Sequence, residues 1–273
     1  MRFRSATTFL REVWQSFSSR NGSLLAAAVS FYSFLSLFPL LLVAVGVLGY
    51  VLRSPAHAEE MLTRFLGKVV IGTTAMDMVA NVIHGRDAAT GIGLFLLVWS
   101  GMAAALILEQ AINLVWDAPL RRGYLKRRGL ALLILVLVGV LITVSFGVTA
   151  LLRIMRQISP SYLSSFSILW SILGHLVAII ASIALFTVLY KILPNARVSF
   201  KAALAGGLFG GLLWEAAKQI FTFYVVNYAS YTSVYGPLGG VILLMVWINY
   251  SSVIAVLGAG FASHWGARQE QGA

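Results

Sequence analysis

The sequence predicts an all-α polytopic membrane protein with six transmembrane helices and both termini in the cytoplasm (N-in/C-in). An amphipathic helical segment is expected on the outer side between the first two spans. Three observations predict this class. Of 273 residues, 59% are hydrophobic and only 11% charged, where a soluble domain carries roughly 25% charged residues. Mean hydropathy is +0.88. The 20 Lys and Arg lie between long apolar runs instead of gathering on one face, so the net charge of +11 does not read as a nucleic-acid surface. So few charges cannot give a 29.6 kDa chain the polar surface that solubility requires. The absence of cysteine excludes thiolate metal sites, thiol catalysis and disulfides.

A helix needs about 20 apolar residues to cross the hydrocarbon core, and the charge-free runs place six such spans in one integral membrane domain over residues 1–273. The first, residues 23–52, is too long to cross upright; Pro39, Gly46 and Gly49 offer places to tilt or bend. Met61, Leu62, Phe65, Leu66, Val69 and Val70 recur at three and four, which makes residues 53–87 an outer-surface amphipathic segment. The remaining spans are expected at residues 89–116, 129–152, 166–190, 202–226 and 236–263. Residues 1–20 contain basic side chains but no small-residue cleavage site follows them, so the first span is expected to stay as an anchor. No internal repeat is visible, although three spans followed by three would permit an inverted one.

Orientation follows from the basic residues, which are retained in the cytoplasm. With the N-terminus inside, the inner segments hold Arg2, Arg4, Arg11, Arg20, Arg121, Arg122, Lys126, Arg127, Arg128, Lys191, Arg197, Lys201 and Arg268. The outer segments hold Arg53, Arg64, Lys68, Arg86, Arg153 and Arg156. Lys218 falls inside a span. The imbalance sets the topology, with membrane lipids as partners and anionic headgroups at the cytoplasmic face.

Ionisable groups inside a span are functional candidates, because burying a charge in lipid costs at least ~2.5 kcal/mol. Glu109 lies in the second span, with Asn113 one turn later on the same face. Glu215 and Lys218 lie in the fifth at i and i+3, close enough to neutralise each other. Each has two readings: a structural role, as internal glue or a solvated end, or a place on a polar path for an ion, a proton or a headgroup. Tyr224, Tyr228, Tyr231 and Tyr235, spaced 4, 3 and 4, form one helical stripe, either an interface anchor or a substrate-contacting face. Gly206, Gly207, Gly210 and Gly211, and Gly236 with Gly240, make small-xxx-small pairs suited to close helix contact within or between subunits. A homo-oligomer is therefore open.

The basic cluster at residues 121–128 meets anionic headgroups before anything else, and topology accounts for it without nucleic acid. His57, His84, His175 and His264 are far apart, with no HExxH, GxSxG, Walker or GxGxxG pattern. No cofactor, no metal and no enzymatic step is expected.

Certain residues resemble a known family, the YihY / virulence factor BrkB family of bacterial inner-membrane proteins, also called ribonuclease BN-like. In the first span these are Phe31, Tyr32, Ser36, Leu37, Phe38 and Pro39; around the second, Asn113, Trp116, Arg121, Arg122 and Lys126. The most specific stretch carries Pro194, Asn195, Gly206, Trp214, Glu215, Lys218, Phe221, Tyr224, Tyr235 and Gly236. The resemblance covers roughly residues 10–265 and implies six helices with both termini inside. It also implies a link to envelope integrity and to export of lipid or lipopolysaccharide precursors; the ribonuclease label fits poorly with a chain lacking metal ligands. Two departures stand out. Gly258, Ala259 and Gly260 occupy the place where the family often has Gly-Ala-Glu, and Asn249 replaces a common aromatic.

Two functions follow as expectations. In one, the chain transports or exports an amphiphilic envelope component, with Glu215, Lys218 and Glu109 along a polar path, the tyrosines at its outer end, and Pro39 and the glycines permitting rocking. In the other it is a non-transporting scaffold, the charges being glue and the glycines a seam.

Overall fold

The computed structural model describes residues 6–37, 39, 86–119, 122–137, 167–228 and 238–271. Among them are seven helices and no strand. These are α1 (Ala6–Ser19), α2 (Gly22–Leu35), α3 (Arg86–Val115), α4 (residues 124–137), α5 (Ser167–Ile192), α6 (Phe200–Tyr228) and α7 (Leu238–Gln271). Residues 53–85 of the expected amphipathic segment, residues 40–52 of the first span and residues 138–152 of the third lie outside the described residues.

Two stretches, Ile92–Val115 in α3 and Gly239–Glu270 in α7, are by length and composition apolar enough to cross a membrane. Only 28% and 22% of their most apolar windows are buried within the protein. Side chains such as Phe95, Trp99, Ile180, Ile220 and Phe223 are exposed, an outward apolar surface that water would penalise and lipid would not.

α1 is a helix that charge-free runs do not reveal, since it is amphipathic: Phe9, Val13 and Phe17 recur every fourth residue and are buried. It ends in a left-handed residue, Asn21 (φ 55°). A Cβ on the following Gly22 would lie 2.3 Å from Phe17 Cδ2, so only glycine permits this tight corner into α2. α7 runs to Gln271, beyond the expected end at 263. Nothing in that stretch breaks a helix except Gly266, and there the backbone packs close to Ala202, whose Cβ would be 3.3 Å from an added Cβ.

The described residues divide into two compact units, one formed by Met1–Ser23, Glu109–Lys218 and Ile254–Ala273, the other by Leu24–Leu108 and Gln219–Val253. In the second, Asn249 donates to Ser30 Oγ at 3.3 Å and Phe221 packs on Trp247 with ring centroids 5.0 Å apart. Ser100, Ser251 and Ser252 return their hydroxyls to carbonyls four residues earlier, which satisfies them without a partner helix.

The first unit is built on a glycine seam. Gly206 of α6 abuts α7, where an added Cβ would meet Ala262 Cβ at 2.5 Å and Gly258 O at 2.9 Å. Gly207 and Gly211 turn to Thr187 and Ile183 of α5. Tyr190, fully buried, fills the slot that Gly206, Gly210 and Gly258 leave open, and its hydroxyl donates to Ala255 O at 2.9 Å. Stacked rings continue the packing: Phe209 on Phe261 at 4.4 Å and Phe261 on Trp265 at 6.0 Å.

An added methyl at 258 would lie 2.2 Å from the Tyr190 hydroxyl, so Gly258→Ala should destabilise by roughly 1–3 kcal/mol, the usual cost of overpacking. Tyr190→Phe removes the obstructing oxygen. Thermal unfolding of both single variants and the double should therefore show positive coupling, the double variant recovering part of the Gly258→Ala loss.

Candidate functional site

Glu109 is reached in α3 one turn and a half before the helix ends, and its side chain is 3% exposed. Two arginines of the following segment close on it. Arg127 Nε donates to Oε2 at 3.1 Å, and Arg122 Nη1 lies 3.6 Å from Oε1. Arg122 also donates to three carbonyls at the end of α5, Ile192 at 3.0 Å, Leu193 at 3.1 Å and Pro194 at 2.9 Å. Those are acceptors that a helix leaves without partners at its C-terminus, where its dipole also favours a cation. One guanidinium therefore neutralises a carboxylate on α3 and caps α5.

Asn113 extends the same face. It is 1% exposed, its Oδ1 accepts the Asn195 backbone N–H at 2.6 Å, and Asn195 Nδ2 reaches Pro119 O at 2.5 Å. The Asn113 amide orientation follows from that N–H donor, which leaves Nδ2 buried with no partner, as are Trp116 Nε1 and Arg127 Nη2. Arg20 caps α3 itself, donating to Leu114 O at 2.5 Å and Val115 O at 3.3 Å. Lys191 donates to Val198 O. Basic residues whose sequence positions speak for topology thus also terminate helices.

The second charged group is on α6. Lys218 Nζ lies 2.5 Å from Glu215 Oε2, and Ser182 of α5 donates to Glu215 Oε1 at 2.7 Å. The carboxylate side chain is 12% exposed and the ammonium-bearing one 38%, so the acidic side of the pair is the more enclosed and the basic side the more exposed. The structure does not join Glu109 and Glu215 in one cluster of ion pairs: each carboxylate has its own cations.

Of the tyrosine stripe, Tyr224 is partly exposed on α6; the Tyr228 side chain, Tyr231, Tyr235 and Gly236 lie outside the described residues, as does Arg121. Gly240 is half-buried in α7, and Pro39 is buried. Among the described residues no group of three or more His, Asp or Glu could hold a metal ion. Sequence reasoning missed Ser182, Tyr190 and the capping roles of Arg20 and Arg122. A backbone carbonyl acceptor has no residue-type signature, and Ser182 stands 33 positions from Glu215.

Removing one partner of a buried ion pair costs roughly 3–5 kcal/mol, because it strands the other charge. Glu109→Gln strands both guanidinia and should lose about that much, read as a lowered Tm of the purified protein in nanodiscs. Arg122→Ala leaves Glu109 paired with Arg127 but frees the carbonyls at the end of α5, and should cost less, roughly 1–3 kcal/mol. The double variant should be less destabilised than the sum, since the Arg122–Glu109 contact is lost only once.

Comparison with known proteins places these residues in a wider set. The family model described as virulence factor BrkB matches residues 13–272. The ribonuclease-like protein YfkH of Bacillus subtilis (strain 168) is 22% identical over 265 residues, 92% of each chain. A UPF0761 membrane protein of Tolumonas auensis is 28% identical over 270 residues, covering 97% of this chain and 86% of its own. Another, from Alkalilimnicola ehrlichii, is 29% identical over 238 residues, 86% of this chain but 53% of its own, so this chain spans about half of that relative's length. No solved structure matches. A family match over nearly the whole chain, relatives named as membrane proteins and outward apolar helices agree: this is a membrane protein, and it belongs to the virulence factor BrkB family.

Proposed function

We propose that the chain is a six-span, N-in/C-in protein of the bacterial inner membrane that moves a lipid-like or other amphiphilic envelope component along a polar path around α6. The observation that carries this reading is the Ser182–Glu215–Lys218 group, a carboxylate held from α5 with its ammonium partner left 38% exposed on an apolar helix. An unneeded charge there would be costly. A partly exposed cation could meet an anionic headgroup, while the carboxylate and hydroxyl hold it in register. Tyr224 lies on the same helix, and the rest of the tyrosine stripe would extend the path outward. Glu109 and Asn113, enclosed by Arg122, Arg127 and Asn195, would support the path from the basic side. No chemical step on substrate and no cofactor is part of the reading, and the ribonuclease-like name of YfkH is not carried over.

A second reading, a non-transporting envelope scaffold, draws on the same enclosure of Glu109, since fully neutralised charges and a glycine seam are what a rigid bundle or homo-oligomer would use. The two readings separate in liposomes carrying a fluorescent phospholipid and a trapped proton-sensitive dye. Transport requires that wild-type protein speeds movement of the lipid between leaflets, and that Glu215→Gln slows it by about tenfold or more with insertion and Tm retained. A scaffold leaves lipid movement unchanged by either protein, with Glu215→Gln lowering Tm instead.

A further inference from the structure

α1 carries three arcs of different character. Phe9, Val13 and Phe17 face the protein: the Phe9 ring meets Phe261 edge-on at 5.0 Å and Trp265 at 6.2 Å, and Arg268 lies over it at 4.2 Å while donating to Glu12 at 3.0 Å. Thr8, Arg11, Gln15, Ser18 and Ser19 are exposed and polar. Between these arcs, one turn apart, stand Leu10 and Trp14, 46% and 58% exposed. The Trp14 indole stacks on Phe17 with centroids 5.7 Å apart, so one face of it is supported and the other is bare.

A helix with protein on one side and water on the other has no use for that bare apolar edge. A helix lying at a membrane surface does: Trp is the side chain most at home at headgroup depth, with its ring in the apolar boundary and its N–H in the polar layer. The corner at Asn21 and Gly22 separates α1 from α2, so α1 is not the first turns of the first span. Charge selects the kind of surface. Residues 1–19 contain Arg2, Arg4 and Arg11 against a single acid, Glu12, which pairs with Arg268, and Arg11 lies one turn from Trp14. We propose that α1 is an in-plane helix seated in an anionic phospholipid layer, with Leu10 and Trp14 at the acyl boundary and Arg11 among the phosphates. This holds whether or not the chain transports.

A chain without cysteine suits a direct test. Single cysteines at Leu10, Trp14, Gln15 and Ser19 are spin-labelled in nanodiscs of phosphatidylglycerol or of phosphatidylcholine, after each variant is checked for wild-type Tm. The ratio of oxygen to nickel-complex accessibility should be at least about fivefold higher at 10 and 14 than at 15 and 19. Arg11→Glu should lower the ratio at 14 in phosphatidylglycerol and leave it unchanged in phosphatidylcholine. The fluorescence difference between wild type and Trp14→Phe should also be quenched by lipids brominated near the top of the acyl chain. Water-like ratios at 10 and 14 would overturn the proposal, and so would exclusion of both reagents there, the signature of a second copy. An Arg11→Glu effect that is the same in both lipids would overturn the anionic preference.

Discussion

The neutralisation of Glu109 by Arg122 and Arg127 is the interaction on which the first unit depends most. A carboxylate 3% exposed is tolerable only if paired, and the pairing fixes more than a charge. It brings α4, which carries Arg127, onto α3, and it aims Arg122 at the last carbonyls of α5. Without Glu109 the guanidinium would have three carbonyls but no compensating anion. Without Arg122 the end of α5 would have unmet acceptors beside a buried acid. Each half makes the other affordable, which is why their effects on stability should not add.

Around this polar knot the helices approach by a different means. Glycines remove side chains along α6, Gly207, Gly210 and Gly211 admitting α5 and Gly206 admitting α7, and a single large residue, Tyr190, fills what remains. Its hydroxyl takes a carbonyl of α7 that glycine at 258 leaves reachable. In a membrane, where apolar burial between helices gains little over lipid, such close approach and internal hydrogen bonding supply the attraction. The unit thus combines arginine caps at the helix ends with glycine contacts along their lengths.

What the sequence made legible follows the same division. At 166–190 and 202–226, where the charge-free runs predict helices, the structure has the helices Ser167–Ile192 and Phe200–Tyr228, since a long run of apolar, helix-compatible residues is legible one residue at a time. α1 escaped because its apolar residues are periodic and interrupted by polar ones; the spacing of Phe9, Val13 and Phe17 was the available signal. α7 outran its apolar core because a helix, once begun, stops only at a breaker or a cap. The charged knot was half visible: Glu109 and Asn113 stand out as polar residues in an apolar run, whereas Arg122 and Arg127 resemble any other basic residues between spans. Their acceptors are a carboxylate 18 positions from Arg127 and backbone carbonyls some 70 from Arg122, a relation created by folding.

The resemblance read from the sequence would put a glutamate at 260, where this chain has Gly260. An added Cβ there would meet Val115 Cγ1 at 3.3 Å and Val13 Cγ1 at 3.7 Å, one from the end of α3 and one from α1. Even the first carbon of a side chain would press on Val115, and Arg20 is committed to the carbonyls of Leu114 and Val115 and to Asp117. An acid grafted at 260 would enter between two valines, an apolar setting that penalises a carboxylate. The glycine at 260 thus belongs to an apolar contact shared by α1, α3 and α7, and placing a charge there would take coordinated changes at 13, 115 and 260.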